Sequence, residues 1–113
     1  MADQARHLIS WDTVFGVEKF SVSLKEAFIA QLEKDLQHTF ENVDSEDFFK
    51  EALAVVSYAV EHNKLSDFLY RVDLSETQAM RCMASSDPVH SLTQAILERV
   101  AQKVIFRRQY SGK

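Results

Sequence analysis

Sharp chain reversals depend on glycine, which reaches positive φ at no steric cost, and on proline, which fixes φ. This chain of 113 residues holds two glycines, Gly16 and Gly112, and one proline, Pro88. A fold of many short strands needs more tight turns than that. The chain must be built from few, long elements, which means helices. A 46 % hydrophobic, 27 % charged composition is that of a globular chain and not a disordered one. The length suits one domain, which buries roughly 65 % of its unfolded surface and needs no staples.

The apolar pattern bears this out from residue 23 onward. Ser23-Leu24-Lys25-Glu26 reads as a capping box. Leu24, Phe28, Leu32, Leu36 and Phe40 then recur at four-residue steps, one helical stripe that fades at Glu41-Asn42. A second helix is expected from Asp44 or Ser45 to Asn63. Its acidic start suits the helix dipole, and Asn63 tolerates the left-handed geometry of a C-cap. Phe48, Phe49, Ala52, Leu53, Val55, Val56, Ala59 and Val60 make it apolar around more than half its girth, so it is expected to be central. Leu65, Phe68, Leu69 and Val72 define a short third helix. Ser75-x-x-Gln78 caps a short fourth, with Leu74 stapling onto Ala79 and with Ala79, Met80 and Met83 as its apolar face. Asp87-Pro88 opens the last helix with an N-cap and a proline at the first helical position. Val89, Leu92, Ile96, Val100, Val104 and the adjacent row Leu97, Ala101, Ile105 carry that helix to about Arg108.

Residues 1–22 follow neither period cleanly, and Gly16 interrupts them. They are expected to be irregular or extended, with Trp11, Phe15 and Phe20 packing on the helices. The whole chain, 1–113, then reads as a single all-α domain: a compact bundle of about five helices, three long and two short. The expected core includes Phe28, Leu32, Leu36, Phe49, Leu53, Val56, Val60, Phe68, Leu69, Ile96 and Val100.

The usual chemical motifs are missing. Cys82 has no second cysteine to pair with, and a helical cysteine between methionines reads as a small core residue. His7, His38, His62 and His90 fall at no metal-ligand spacing, and no Glu-x-x-His unit occurs. Glu46, Asp47 and Glu51 stand where a helix N-terminus favours acids. Two distant glycines cannot form a phosphate loop. The expectation is therefore no enzyme, no cofactor and no metal. Asp3 and Arg6 break any apolar leader, no run reaches the ~20 apolar residues of a membrane span, and one unpaired cysteine fits a reducing compartment. A cytoplasmic location without membrane contact is expected.

Charge is uneven. Residues 1–98 hold all 17 acidic side chains and 8 of the 13 basic ones, a balance of −9; residues 99–113 hold Arg99, Lys103, Arg107, Arg108 and Lys113 and no acid, a balance of +5. Arg99, Lys103 and Arg107 lie one turn apart on one side of the last helix, with Arg108 beside them. The plain account is that cations favour a helix C-terminus. The functional account makes Arg99, Lys103, Arg107 and Arg108 a contact for an anionic partner. Nucleic-acid binders are usually basic overall, and this chain carries −4. An acidic protein, or a second copy of this chain in a homodimer, is expected ahead of nucleic acid. Phe106 and Tyr110 beside the guanidinium groups keep base stacking open as the alternative.

The run Leu65-Ser66-Asp67-Phe68-Leu69-Tyr70-Arg71-Val72-Asp73-Leu74-Ser75-Glu76 and the stretch from Glu98 to Arg107 resemble a group of short uncharacterised bacterial proteins. The resemblance covers the C-terminal half. It implies a helical cytoplasmic protein of bacterial type and carries no activity with it. The function expected from the sequence is a non-catalytic protein–protein interaction module, self-associating or not, with a weak nucleic-acid-associated protein as the alternative.

Overall fold

The apolar rows fold onto one another as helices. The computed structural model describes Val14, residues 22–41, Val43 and residues 47–111. Among the described residues the helices are, in chain order, α1 (Val22–Leu36), α2 (Asp47–Glu61), α3 (Leu65–Val72), α4 (Glu76–Met83) and α5 (Pro88–Ser111). No strand occurs among the described residues, and the fold is an all-α bundle of three long and two short helices.

The centre of the bundle is α5, not α2. All four other helices pack against α5, while α3 lies against both α1 and α2. Leu92, Ile96, Leu97, Val100, Ala101 and Val104 are buried, as are Ala95 and Thr93. Thr93 satisfies its hydroxyl on its own helix, donating to the Val89 carbonyl at 2.8 Å, so a polar side chain rests in the core without an orphaned donor. The apolar surplus of α2 misled the sequence reading. Its inward face is Phe48, Ala52, Val56 and Ala59; Phe49, Leu53 and Val60 are only partly buried, as is Leu69 on α3. A helix apolar over half its girth does not announce which side will turn inward. The other expected core residues, Phe28, Leu32, Leu36, Val56, Phe68, Ile96 and Val100, are buried.

Helix ends show how the chain turns with so little glycine. Gln37, Asn63 and Asp73 sit at φ 54°, 59° and 68°. Each follows a helix, and in each case the next residue donates back across the turn. His38 N–H donates to the Glu33 carbonyl at 3.2 Å, Lys64 to Ala59 at 2.8 Å and Leu74 to Leu69 at 3.0 Å. That is the Schellman arrangement, usually built on glycine. Asn63 thus ends α2 as its sequence suggests. The first helix stops at Leu36, one turn short of the stripe's last member, because Gln37 turns left-handed. Phe40 is nevertheless buried, with its ring 5.0 Å from that of Phe48.

The starts are more conventional. Ser75 accepts the Gln78 N–H at 3.1 Å, Leu74 and Ala79 are both buried, and Asp87 accepts from the His90 N–H at 3.3 Å. At α1 the helix already includes Val22, one residue ahead of Ser23, whose hydroxyl accepts from Arg108. On α4, Met80 and Met83 face outward at 67 % and 44 % exposure; Ala79 is the buried residue of that helix. Val14 is buried in the core. The expectations for Trp11, Phe15 and Phe20, and for a helix start at Asp44 or Ser45, fall outside the described residues.

A left-handed non-glycine residue costs about 1–2 kcal/mol, partly offset by the greater freedom glycine has when unfolded. The exposed Gln37→Gly substitution is therefore expected to stabilise the fold by about 0.5–1 kcal/mol. Urea unfolding checks this, and an unchanged or lowered midpoint would contradict the role given to Gln37.

Candidate functional site

The four cations expected to meet a partner are tied into the fold. Lys103 is the innermost, its side chain 19 % exposed. Its ammonium donates to Asp35 Oδ2 at 2.7 Å, to the Arg71 carbonyl at 3.1 Å and to the Val72 carbonyl at 3.3 Å. An ammonium has three donors, and all three are used. Two of the acceptors are carbonyls at the end of α3, which lack partners within their own helix. Arg99 continues the cap: Nε donates to the Asp73 carbonyl at 3.1 Å, and Nη2 reaches Asp73 Oδ2 at 3.0 Å. Arg107 donates to Gln31 Oε1 at 2.8 Å and Arg108 to the Ser23 hydroxyl at 3.0 Å. The basic row of α5 thus fastens α5 to the C-terminal end of α3 and to α1. Phe106 is 61 % exposed; the Tyr110 side chain and Lys113 lie outside the described residues.

Asp35 completes the arrangement, and the sequence reading did not single it out. It is buried at 5 % exposure. Oδ1 accepts from Gln31 Nε2 at 2.9 Å, Oδ2 takes Lys103, and the backbone carbonyl accepts Arg71 Nε at 2.7 Å. A signal was present: Asp35 stands three residues after Leu32 and seven after Phe28, on the apolar side of α1. A carboxylate there needs a cation from elsewhere in the chain.

Beside this junction lies a groove of about 550 Å³, within the usual range for a binding cavity. One wall is the face of α2 that carries Glu51, Ala54, Val55 and Tyr58; the other is the N-cap residue Lys64 and the face of α3 that carries Asp67, Phe68 and Arg71. Both sets follow i, i+3, i+4, i+7, the spacing that puts side chains on one face of a helix. Leu36, Gln37 and His38, at the end of α1, close the groove. The half-buried Val55 and the 54 % exposed Tyr58 account for part of the apolar surplus of α2. Tyr58 stacks on His62, with centroids 3.9 Å apart and planes 18° apart. His38 is held by Glu51, Nε2 to Oε2 at 2.7 Å. A carboxylate only accepts, so Nε2 carries the proton. Glu51 also accepts the Glu41 N–H at 3.1 Å, and Glu33 accepts the Phe40 N–H at 2.9 Å. The histidine–carboxylate pair therefore anchors the loop after α1 to α2.

Cys82 is half-buried against the core. Its thiol points at the Ser91 carbonyl, with Sγ and O 3.5 Å apart. Desolvation pushes the thiol's pKa up; Glu98 adds to the rise and Arg81 opposes it. A raised pKa leaves little thiolate at neutral pH. Among the described residues no group of three or more His, Cys, Asp or Glu side chains is placed to hold a metal ion, and no helix is long and apolar enough to cross a membrane. No protein-family model, curated protein or solved structure matches the chain.

Removing one partner of a buried ion pair strands the other. Lys103→Met is expected to cost about 3–5 kcal/mol, and the Asp35→Leu, Lys103→Met double variant less than the sum of the single changes. Arg99→Ala, whose partner Asp73 is 79 % exposed at the side chain, should cost about 1 kcal/mol or less. Additive single costs in urea unfolding would show that the three-helix junction does not act as a unit.

A thiol whose folded pKa is raised keeps its proton to higher pH than the unfolded thiol does. Below the ordinary thiol range it adds no pH dependence. As pH rises from that range through the raised folded value, the unfolded state ionises first and stability falls. Cys82→Ala should remove that alkaline decline, and native Cys82 should react with a disulfide reagent far more slowly than the denatured chain. Equal rates would contradict the burial argument.

Proposed function

We propose that this chain is a non-catalytic interaction module that receives a segment of another protein in the groove between α2 and α3. The groove itself carries the reading: two helix faces converge on a cavity of about 550 Å³, with the aromatic rings of Tyr58 and Phe68 and the aliphatic Val55 and Leu36 among its walls. Partner helices and extended segments dock in such apolar clefts between helices.

Three features bear on which partner the chain takes. Lys103 and Arg99 are paired with the carboxylates of Asp35 and Asp73, which reduces the charge the row can offer to phosphates and counts against the nucleic-acid alternative. His38 and Glu51 hold the loop after α1, which favours binding over proton-transfer chemistry. The apolar rows of α5, one motive for expecting a homodimer, are covered by the four surrounding helices, which removes that motive.

The test fills the groove from within. Ala54 is exposed on its α2 wall, so Ala54→Trp should fold normally and occlude the cavity. A phage-displayed random peptide library is selected on the wild-type protein and its enriched peptides are measured on both proteins. Peptides that bind the wild type and are lost on Ala54→Trp are the expected result. No enrichment, or peptides that bind both proteins equally, would overturn the reading. Sedimentation of both proteins identifies self-association: a wild-type dimer that Ala54→Trp dissociates would put a second copy in the groove.

A further inference from the structure

We infer that the segment received by the groove is acidic in a defined pattern: two carboxylates three residues apart in a polyproline-II-like chain, with no acid between them and an apolar or aromatic side chain alongside. This rests on the groove being the binding surface, and it names the chemistry that surface selects.

The inference comes from which charges the fold uses and which it leaves. The groove wall of α3 presents Lys64, Asp67 and Arg71, a plus–minus–plus row. Among the described residues, ion pairs join His38 to Glu51, Lys50 to Asp47, Arg99 to Asp73 and Lys103 to Asp35, while Lys64, Asp67 and Arg71 make no ion pair. The acid on the facing wall, Glu51, is taken up by His38 and the Glu41 N–H, whereas Lys64 and Arg71 have no carboxylate partner; two such cations beside an apolar cavity are a mark of electrostatic complementarity to something else.

Arg71 is the better prepared of the two. Its Nε donates to the Asp35 carbonyl at 2.7 Å, and its guanidinium carbon lies 5.8 Å from the centre of the Phe68 ring. These contacts fix the plane of the guanidinium while its two terminal nitrogens keep their donors for a ligand. A fixed fork suits a carboxylate, which it can meet with two parallel hydrogen bonds. Lys64, exposed at the other end of the row, offers a mobile point charge.

The spacing follows from helix geometry. Lys64 and Arg71 are seven residues apart, about 10 Å along the axis at 1.5 Å per residue. A polyproline-II chain, with three residues per turn and about 3.1 Å per residue, covers about that distance in three residues and brings the first and fourth side chains to the same side. Asp67 lies between them on the same face, so a third carboxylate at the middle of the segment would meet a like charge. Phe68, Val55 and Tyr58 supply the apolar surface against which the intervening side chain packs.

The experiment uses synthetic acetylated and amidated peptides with the core Glu-Phe-Ala-Glu, their Gln-Phe-Ala-Gln counterparts, and a Glu-Phe-Glu-Glu version, titrated by fluorescence anisotropy. The Glu pair should bind the wild type about ten-fold tighter than the Gln pair, the scale of a charge-assisted bidentate contact, and the added central acid should weaken binding. Arg71→Gln should erase the Glu preference, Arg71→Lys restore part of it, and Lys64→Gln reduce it. Circular dichroism checks the fold; if Arg71→Gln unfolds, the exposed Lys64→Gln decides. Equal binding of Glu and Gln peptides, or a Glu preference that survives both Arg71→Gln and Lys64→Gln, would overturn the inference. If library peptides are still lost on Ala54→Trp while Glu and Gln bind alike, the groove stands and the carboxylate pattern falls. If no peptide distinguishes the wild type from Ala54→Trp, both fall.

Discussion

Three helices meet at the Lys103 ammonium. It comes from α5, bonds a carboxylate on α1 and takes two terminal carbonyls of α3. Burying a charge in this way is costly unless every donor finds an acceptor and the opposite charge is close; here both conditions are met. The contact links residues 68 positions apart, so it forms only when α5 has docked on α1 and α3 in one register. Apolar packing alone tolerates small slips of one helix along another. An ammonium that must reach Asp35 and the end of α3 at once does not. This gives the junction a role in choosing one arrangement of the bundle, separate from how much it adds to stability.

The same shortage of glycine that makes the chain helical also shapes its turns. Three helices end on Gln, Asn or Asp held left-handed, and the last of them places Asp73 where Arg99 can take both its carbonyl and its carboxylate. A glycine there would turn as easily but offer no carboxylate. Asp73 therefore joins two tasks, and the capping of α3 by Lys103 and Arg99 explains how an eight-residue helix, too short to persist alone, keeps its end in place.

Helices were legible because their signals are local. Four-residue apolar steps, Ser75 before α4, Asp87-Pro88 before α5 and Asn63 after α2 all act within a few residues of where they stand. Choices set by tertiary contact were not legible. Which side of α2 turns inward depends on α5, and Gln37 as the end of α1 depends on a loop folding back so that Phe40 reaches the core. The basic row was visible at four-residue spacing, but its acceptors lie 26 to 85 positions away. Periodicity shows that cations share a face and not what the face meets. The groove was half visible, as more apolar surface on α2 than one inward face requires. Its cations were hidden, because Lys64 and Arg71 look like ordinary surface charges on a short helix.

Arg71 connects the junction to the groove. Its carbonyl accepts from Lys103, its Nε donates to the Asp35 carbonyl, and its guanidinium lies against Phe68 on the groove wall. Every part of the residue except the terminal nitrogens is engaged by the contacts that set α3 against α1 and α5. The position of the groove's fixed cation is thus decided by the buried pair behind it. A binding group held this way loses little freedom when a ligand arrives, which is the main advantage of preorganisation. Lys64, at the opposite end of α3, has no such support. The two ends of the row therefore differ in kind, one held and oriented, the other an exposed point charge, and the carboxylate selectivity we propose is assigned to the Arg71 end.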